Sequence, residues 1–276
     1  MTLVGIALAI TSCSSAKSDE ARADSTPAAS EPEHIHNLAL VGDDLYMGTH
    51  NGMWKQSADG DVVRVSQDEW DVMGLSKTAA GWLAGGHPGP EQGGPTSLGL
   101  QKSGDGGQTW QPISLVGAVD FHRLAASGDV IVGISSSDGA LMISPDGGRS
   151  WRTTTVVSLF DVVVDPMNPA IMVGTTQDGP VRSTDGGYTF AATPGAPLIA
   201  LLAWSGDSLY GVTPDGAIYA SVDGGATWDE RGKASGAPLA FAADGESLAV
   251  LVGQEIDESA DGGRTFTPRL NGVGQQ

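Results

Sequence analysis

One eight-residue phrase recurs along this chain and constrains its fold more than any other feature. Five copies fit the pattern S-x-D-G-G-x-[ST]-[WF], and they begin at Ser103, Ser144, Ser183, Ser221 and Ser259. A decayed sixth copy, SADGDVVRV, begins at Ser57. Successive copies start 46 to 38 residues apart. A period in this range indicates one supersecondary unit that is repeated along the chain.

This phrase, which we call the DGG turn, has a mechanical interpretation. Its aspartate can accept hydrogen bonds from backbone N–H groups just downstream, and its two glycines adopt positive φ without steric cost. The final Trp or Phe brings a large apolar surface to the packing between units. Calcium loops of the EF-hand type need a longer ligand ladder that ends in Glu, which is missing from this phrase. We therefore assign a structural role to Asp105, Asp146, Asp185, Asp223 and Asp261.

The DGG turn matches the Asp-box, and the chain from about residue 34 to residue 271 resembles the Asp-box (BNR-repeat) β-propellers. Sialidases, sortilin-type receptors and the photosystem II assembly propeller belong to that broad group. The resemblance implies an all-β propeller. It implies little about activity, because the box is an element of the scaffold.

Short β-forming runs between turn signals predict the blades. In the first unit the runs are His36–Val41, Leu45–Thr49, Met53–Gln56 and Val62–Val65. Four antiparallel strands per unit are typical of a propeller blade. Six units fit the chain, and seven blades are the alternative count. The chain starts on an innermost strand and ends on an outermost one, so we expect side-chain packing and strand edges to close the ring, unless part of residues 14–33 adds an outer strand.

The first residues predict export and lipid attachment. Leu3–Ile10 is an apolar run too short to span a bilayer, and it fits a signal sequence. The following Ile-Thr-Ser-Cys resembles a bacterial lipobox, in which Cys13 becomes the lipidated first residue. We expect a signal peptide at 1–13, a disordered tether at 14–33, the propeller at 34–271 and a tail at 272–276. The protein would then be anchored to the membrane in a bacterial cell envelope, outside the cytoplasm; a secreted protein is the alternative.

Charge and cysteine content narrow the range of partners. The formal net charge of −19 at pH 7 disfavours nucleic acid and anionic membrane surfaces, which carry charge of the same sign. Cys13 is the single cysteine, so the folded domain contains no thiol nucleophile and no disulfide. The expected partners are the membrane, through Cys13, and an unidentified glycan, ligand or envelope protein.

The blade register predicts a cluster of histidines and aspartates on one face. The innermost strand of each blade starts at the face that we call the top, the second strand returns to it, and the DGG turn lies at the bottom. The residues that this register places at the top are His34, His36, His50, Asp71, His87, Asp120 and His122. Imidazoles with carboxylates suit Zn²⁺ or Cu²⁺, and an aspartate can also orient a histidine from behind. The alternative is a solvated channel mouth in which backbone or water satisfies each side chain.

A closer resemblance rests on the phrases HIHNLAL, LYMGTHNGMW, DVMG, GGHPGP and DFHRLA. Together they are similar to a little-characterised family of bacterial Asp-box lipoproteins labelled glycosyl hydrolase-like. The resemblance implies motif positions at the same five histidines and two aspartates. The long Pro/Gly-rich connection Gly86–Ser97 leaves the same face, where we expect it to form a rim or lid, with a tolerated surface insertion as the alternative.

Three functional hypotheses follow. The first is an envelope propeller whose histidines and aspartates bind a transition metal or a polar ligand. The second is a glycosyl hydrolase-like enzyme that uses Asp71 and Asp120 as its two carboxylates. The third is a protein-interaction scaffold of the assembly-factor type. Sialidase activity is disfavoured, because most arginines fall on outer strands and the Phe/Tyr-Arg-Ile-Pro phrase of sialidases is missing.

Overall fold

Six antiparallel sheets form the body of the protein. The computed structural model describes residue 1 and residues 31–90, 92–154 and 158–273. Within these ranges the chain forms six sheets of four strands each and no helix. The six-bladed all-β propeller predicted from the sequence is therefore confirmed, and the alternative count of seven is excluded.

Every blade consists of four strands that follow one another in the chain. Blades 1 and 2 comprise β1 (Ile35–Val41), β2 (Asp44–Thr49), β3 (Gly52–Gln56), β4 (Val62–Arg64), β5 (Trp70–Thr78), β6 (Gly81–Pro88), β7 (Leu100–Ser103) and β8 (Gln111–Ser114). Blades 3 and 4 comprise β9 (Phe121–Ser127), β10 (Val130–Ser135), β11 (Leu141–Ser144), β12 (Arg152–Thr154), β13 (Asp161–Val164), β14 (Met172–Thr176), β15 (Gly179–Ser183) and β16 (Ala191–Ala192). Blades 5 and 6 comprise β17 (Leu201–Ser205), β18 (Ser208–Val212), β19 (Ala217–Ser221), β20 (Asp229–Lys233), β21 (Pro238–Asp244), β22 (Ser247–Val252), β23 (Glu255–Ser259) and β24 (Thr267–Asn271).

Burial falls from the middle of each blade to its outer edge. The second strands are buried along nearly their whole length, as in β22 with the sequence SLAVLV. The outermost strands are mostly exposed, as in β8 and β20. Because blades pack face to face, a middle strand has a neighbouring blade on both sides and needs apolar residues at consecutive positions rather than at alternate ones.

The five DGG turns share one hydrogen-bond pattern. In blade 2 the Ser103 hydroxyl donates to Asp105 Oδ1 at 2.8 Å and accepts from the Gly107 N–H at 2.8 Å. Asp105 also accepts from the Thr109 N–H at 3.0 Å and the Thr109 hydroxyl at 2.6 Å. The same bonds recur at Asp146, Asp185, Asp223 and Asp261. The donors from Thr109, followed by Ser103, lower the pKa of Asp105 to about 2.

The second glycine of the DGG turn lies against the preceding blade. A Cβ at Gly107, where φ is +100°, would lie 2.5 Å from Met53 Sδ of blade 1. A Cβ at Gly263, where φ is +85°, would lie 2.5 Å from Ile218 Cγ2 of blade 5. The turn therefore closes the outer hairpin of its own blade and also packs on the preceding blade, which explains why glycine is needed for space as well as for conformation.

Side chains close the ring between blades 1 and 6. One buried core combines residues of both blades, including Leu40, Trp54, Ala242, Leu251 and Val273. On β24, Arg269 donates to Gln56 Oε1 at 3.0 Å and to the Asp43 carbonyl at 2.7 Å. Each described sheet uses only its own four strands. Among the described residues, closure therefore rests on packing and side-chain hydrogen bonds. The alternative of an added outer strand concerns residues 14–30 above all, which lie outside the described residues.

The predicted N-terminal segments fall largely outside this description. Cys13, the signal segment 1–13 except Met1, and residues 14–30 of the tether lie outside the described residues. In the part of the chain that the structure describes, no helix is long and apolar enough to cross a bilayer.

Candidate metal centres

β-Bulges turn two of the histidines out of the regular strand pattern. On β1, Ile35 pairs with Thr49 and Asn37 pairs with Gly48, which leaves His36 as the extra residue. On β9, the residues on either side of His122 pair with successive residues of β10, so His122 is also an extra residue. A bulge re-aims the side chain that it carries, and bulges often lie beside functional sites.

The same contact between neighbouring blades is made twice on the top face. Asp71 Oδ2, at the start of β5, lies 3.6 Å from Nε2 of His50, the residue after β2. Asp120 Oδ2, just before β9, lies 3.1 Å from Nε2 of His87 near the end of β6. In both cases the carboxylate comes from the start of one blade and the imidazole from the second strand of the blade before it.

These contacts divide the predicted site into two clusters. We call the first centre A; it contains His34, His36 and His50, with Asp71 beside them. We call the second centre B; it contains His87, Asp120 and His122. The structure therefore brings the seven predicted residues together in two clusters, at two successive blade boundaries.

Centre A gathers three imidazole rings. The His34 and His50 rings are stacked, with centroids 4.6 Å apart and planes 13° apart. The His36 ring lies 4.6 Å from His50 and 4.9 Å from His34. Asp71 Oδ1 lies 3.1 Å from His36 Nε2. One nitrogen from each ring lies within 4.8 Å of the other two, so the three nitrogens converge.

Asn51 holds the entering chain so that His34 lies beside His50. Its Nδ2 donates to the Glu31 carbonyl at 2.7 Å, and its Oδ1 accepts from the Glu33 N–H at 3.2 Å. The His50 N–H donates to the Glu33 carbonyl at 3.0 Å. His34 itself has a φ of +44°, a left-handed conformation that histidine adopts more readily than most residues. Residues 31–33, which the sequence assigns to the tether, thus contact blade 1.

Centre B places a buried carboxylate between two accessible imidazoles. Asp120 Oδ2 lies 2.6 Å from His122 Nε2 and 3.1 Å from His87 Nε2. The Asp120 side chain is 4% exposed, whereas the two imidazoles are 40% and 42% exposed. Burial acts to raise the pKa of Asp120, but the contact with His122 and the hydrogen bond from Ser136 outweigh it and hold that pKa below its usual value. The carboxylate is therefore charged and available as a ligand.

Two further groups orient the residues of centre B. His87 Nδ1 lies 2.9 Å from the Thr96 carbonyl oxygen. A carbonyl only accepts, so Nδ1 donates to it and Nε2 faces Asp120. The Ser136 hydroxyl donates to Asp120 Oδ2 at 2.7 Å. Thr96 and His87 both belong to the Gly86–Ser97 connection, and its role as a rim or lid stays a prediction.

Sequence reasoning did not identify Ser136, Asn51 or the carbonyl of Thr96. The blade register could have indicated Ser136 and Asn51. Ser136 directly follows the second strand of blade 3, in the region where blades 1 and 2 carry their histidines, and Asn51 directly follows His50. No signal marks Thr96, because a backbone carbonyl is present at every position.

Each centre contains buried polar atoms without a hydrogen-bond partner. Among the described residues, these atoms are His36 Nε2 and Asp71 Oδ1 in centre A, and His122 Nε2 and Asp120 Oδ1 in centre B. Nitrogen and oxygen within each centre come within ion-pair distance, but they lack the alignment of a hydrogen bond. Buried polar atoms nearly always have a partner. A cation between the imidazoles and the carboxylate would give both the nitrogen and the oxygen atoms a partner. The residues present therefore fit a metal ion.

Glycines let neighbouring blades approach closely at the two centres. A Cβ at Gly48 would lie 2.8 Å from the Val72 carbonyl oxygen, and a Cβ at Gly85 would lie 2.9 Å from Phe121 Cβ. Each glycine lies two residues before a histidine, in G-T-H and G-G-H. A larger residue would push the blades apart and lengthen the contacts between them.

The central channel runs beside centre A. The innermost strands of all six blades line a cavity of about 230 Å³, and His36 lies on its wall. Arg123 is the one arginine among the described residues that line this cavity. A sialidase needs three arginines to hold its substrate carboxylate, so the lining is unsuited to that chemistry.

The two aspartates suit ligand roles better than acid–base catalysis. Asp71 and Asp120 both contact imidazoles. The general acid of a glycosidase needs a raised pKa, whereas the pKa of Asp120 is lowered. The glycosidase hypothesis stays a prediction, and this environment does not favour it.

Comparison with known proteins supports the fold. No family model matches the chain, and no curated protein matches it. Solved structures that are similar include the WD40 propeller domain of Doa1, with a TM-score of 0.60, 10% identity and coverage of 86% of this chain and 82% of that one. YCF48 from Cyanidioschyzon merolae has a TM-score of 0.51, 14% identity and coverage of 86% and 85%.

An ancestral GH74 enzyme is also similar, with a TM-score of 0.54 and 16% identity. The match covers 83% of this chain but 36% of the GH74 chain, so this protein spans about a third of that enzyme's length. At these identities the likeness shows that the chain is a β-propeller, and it does not extend to activity.

Proposed function

We propose that this protein is a lipid-anchored, extracytoplasmic Asp-box propeller that binds a transition metal ion, Zn²⁺ or Cu²⁺, at centre B. The observation that carries the proposal is the carboxylate of Asp120, which is 4% exposed and lies between two imidazoles. A buried charge is costly unless it is paired or coordinates a metal. A cation bound between the two imidazoles would compensate the charge of Asp120.

The ligand set of centre B suits Zn²⁺ in particular. Two imidazole nitrogens and one carboxylate oxygen are the three protein ligands of zinc sites that keep one position open. His87 and His122 would bind through Nε2, and Asp120 through its carboxylate. The Thr96 carbonyl and the Ser136 hydroxyl supply the outer partners that orient metal ligands. The open position would accept water or the polar group of a ligand.

The cellular location and the family are part of the proposal. The lipobox-like Ile-Thr-Ser-Cys that ends at Cys13 supports attachment to the outside of a bacterial membrane. The five DGG turns support membership of the Asp-box propellers. The HIHNLAL and GGHPGP phrases, which carry three of the histidines, support the glycosyl hydrolase-like lipoprotein family. The partner at the open metal position would be a glycan, a small polar ligand or an envelope protein.

Zinc stoichiometry tests the proposal. Protein purified from the envelope is analysed for metals, then treated with a chelator and titrated with Zn²⁺ alone. We expect His122→Ala to bind one zinc ion fewer per chain than the wild type. Asp207→Asn, which changes an exposed carboxylate of blade 5, serves as the control and should bind as the wild type does. Equal zinc content in the wild type and in a folded His122→Ala variant would contradict the proposal.

A further inference from the structure

We infer that centre A is a second metal centre, separate from centre B, and that it binds Cu²⁺ through three imidazoles. The proposed function concerns centre B alone, so this inference goes beyond it and the two stand or fall separately. The chain would then carry two metal ions at neighbouring blade boundaries, with three nitrogen ligands at one and two nitrogens plus one oxygen at the other.

Convergence of three imidazole nitrogens is the first observation. The rings of His34, His36 and His50 all lie within 4.9 Å of one another, and their ligand nitrogens lie within 4.8 Å. A metal with Zn–N or Cu–N bonds of about 2.0–2.1 Å holds its nitrogen ligands some 3–4 Å apart. Small side-chain rotations therefore bring the three nitrogens onto one ion.

The second observation is the pair of buried atoms beside these rings. His36 is 12% exposed, and its Nε2 has no hydrogen-bond partner among the described residues. Asp71 Oδ1 lies 3.1 Å from that nitrogen and is also without a hydrogen-bond partner in the same part of the chain. A merely structural histidine at this depth is expected to donate to a backbone carbonyl or to the carboxylate. A cation next to both atoms accounts for the arrangement.

The third observation is the rigidity of the support. The bulge in β1 carries His36. Asn51 bonds to the backbone of Glu31 and Glu33, the His50 N–H donates to the Glu33 carbonyl, and His34 is the next residue along the chain. Metal-binding geometry needs ligands on elements that are held from behind. The three imidazoles are therefore arranged before an ion arrives.

The imidazole ligands of centre A favour copper. Imidazole suits copper and zinc, and Cu²⁺ binds such sites more tightly than any other divalent ion of the first transition row. Centre A offers one more nitrogen than centre B, and Asp71 can supply a fourth ligand. His36 also lies on the wall of the central channel, so small molecules in the channel can reach the edge of this centre.

Copper titration followed by electron paramagnetic resonance tests the inference. The full chain is freed of metal with a chelator and titrated with Cu²⁺ alone. We expect the wild type to bind two copper ions. His50→Ala should bind one copper ion, and nitrogen couplings should show two imidazole ligands. His122→Ala should bind one copper ion with three imidazole ligands. Asp207→Asn, as the control, should bind two.

The outcomes separate this inference from the proposed function. Loss of one copper ion in His50→Ala and loss of the other in His122→Ala support both. A wild type that binds one ion, lost in His122→Ala and retained in His50→Ala, overturns centre A and leaves the function proposed for centre B intact. The reverse result overturns that function and supports centre A. If either substitution alone abolishes a single bound ion, the two centres are one site and the inference is wrong. Far-UV circular dichroism checks that each variant is folded, and His50→Gln or His122→Gln replaces the corresponding alanine variant if that variant is not.

Discussion

Replacing Ser136 with alanine removes a hydroxyl that donates to Asp120 at 2.7 Å, with no change to any proposed metal ligand. Asp120 is 4% exposed, so water has little access to take the place of the lost donor. Loss of an outer hydrogen-bond partner typically weakens metal binding by about 10- to 100-fold. This corresponds to about 1.4–2.7 kcal/mol, which matches the roughly 1.5–3 kcal/mol contributed by a hydrogen bond to a charged group.

Zinc affinity of Ser136→Ala is best measured by competition with a chromophoric chelator in a His50→Ala background, so that only centre B contributes. Ser136→Thr keeps the hydroxyl and serves as the matched control, and its affinity should stay within a few-fold of the parent. A structural role alone would lower stability without changing zinc affinity. Equal zinc affinity in Ser136→Ala and its parent would therefore refute the argument that Ser136 orients the ligand.

Three further predictions concern the scaffold. Asp146→Asn should lower Tm at pH 7, because hydrogen bonds from Ser150 hold the Asp146 pKa at about 2. Because the pKa of Asp146 is lowered in the folded state, its carboxylate stabilises the fold above pH 4, and this stabilisation is lost as the pH falls through 2. The difference in Tm between the wild type and Asp146→Asn should therefore shrink toward pH 2.5. Gly187→Ala should lower the free energy of unfolding in urea by about 1–2 kcal/mol for its left-handed φ, plus about 1–3 kcal/mol because the new Cβ contacts the preceding blade. Gly186→Ala, where a Cβ meets open space, should show only the first cost. Arg269→Ala should destabilise the ring by about 1.5–3 kcal/mol, because it breaks the link between blades 6 and 1. Arg264→Ala is its control, since the Arg264 side chain donates to the Asp261 carbonyl of its own turn. Equal urea midpoints for the two variants would contradict a role of Arg269 in closing the ring.

The propeller scaffold could be predicted from the sequence because it depends on interactions between residues close together in the chain. Each DGG turn satisfies its own hydrogen bonds within eight residues, as at Ser103–Trp110, so the phrase specifies its turn wherever it occurs. The spacing of the turns then fixes the number of blades and the direction of every strand. The strand order also indicated how blades 1 and 6 meet in the described part of the chain, because β1 is an innermost strand and β24 an outermost one.

The candidate site was readable only in part. Strand direction sufficed to predict that the histidines and the two aspartates reach the top face. It gave no sign of the bulges at His36 and His122, because a single extra residue in a strand has no distinct sequence signal. The partners Ser136 and Thr96 were missed for a related reason, since their roles depend on contacts between segments far apart in the chain.

The sequence by itself determined the repeat, the six blades and the face on which the imidazoles lie, because turns and strand alternation are set by residues close together in the chain. Only the tertiary structure decided that these imidazoles form two clusters. The division depends on how closely blade 2 packs against blades 1 and 3, and on which neighbour Asp71 and Asp120 each reach. Those distances are set by the packing of whole blades, with glycines such as Gly48 and Gly85 at the points of closest approach.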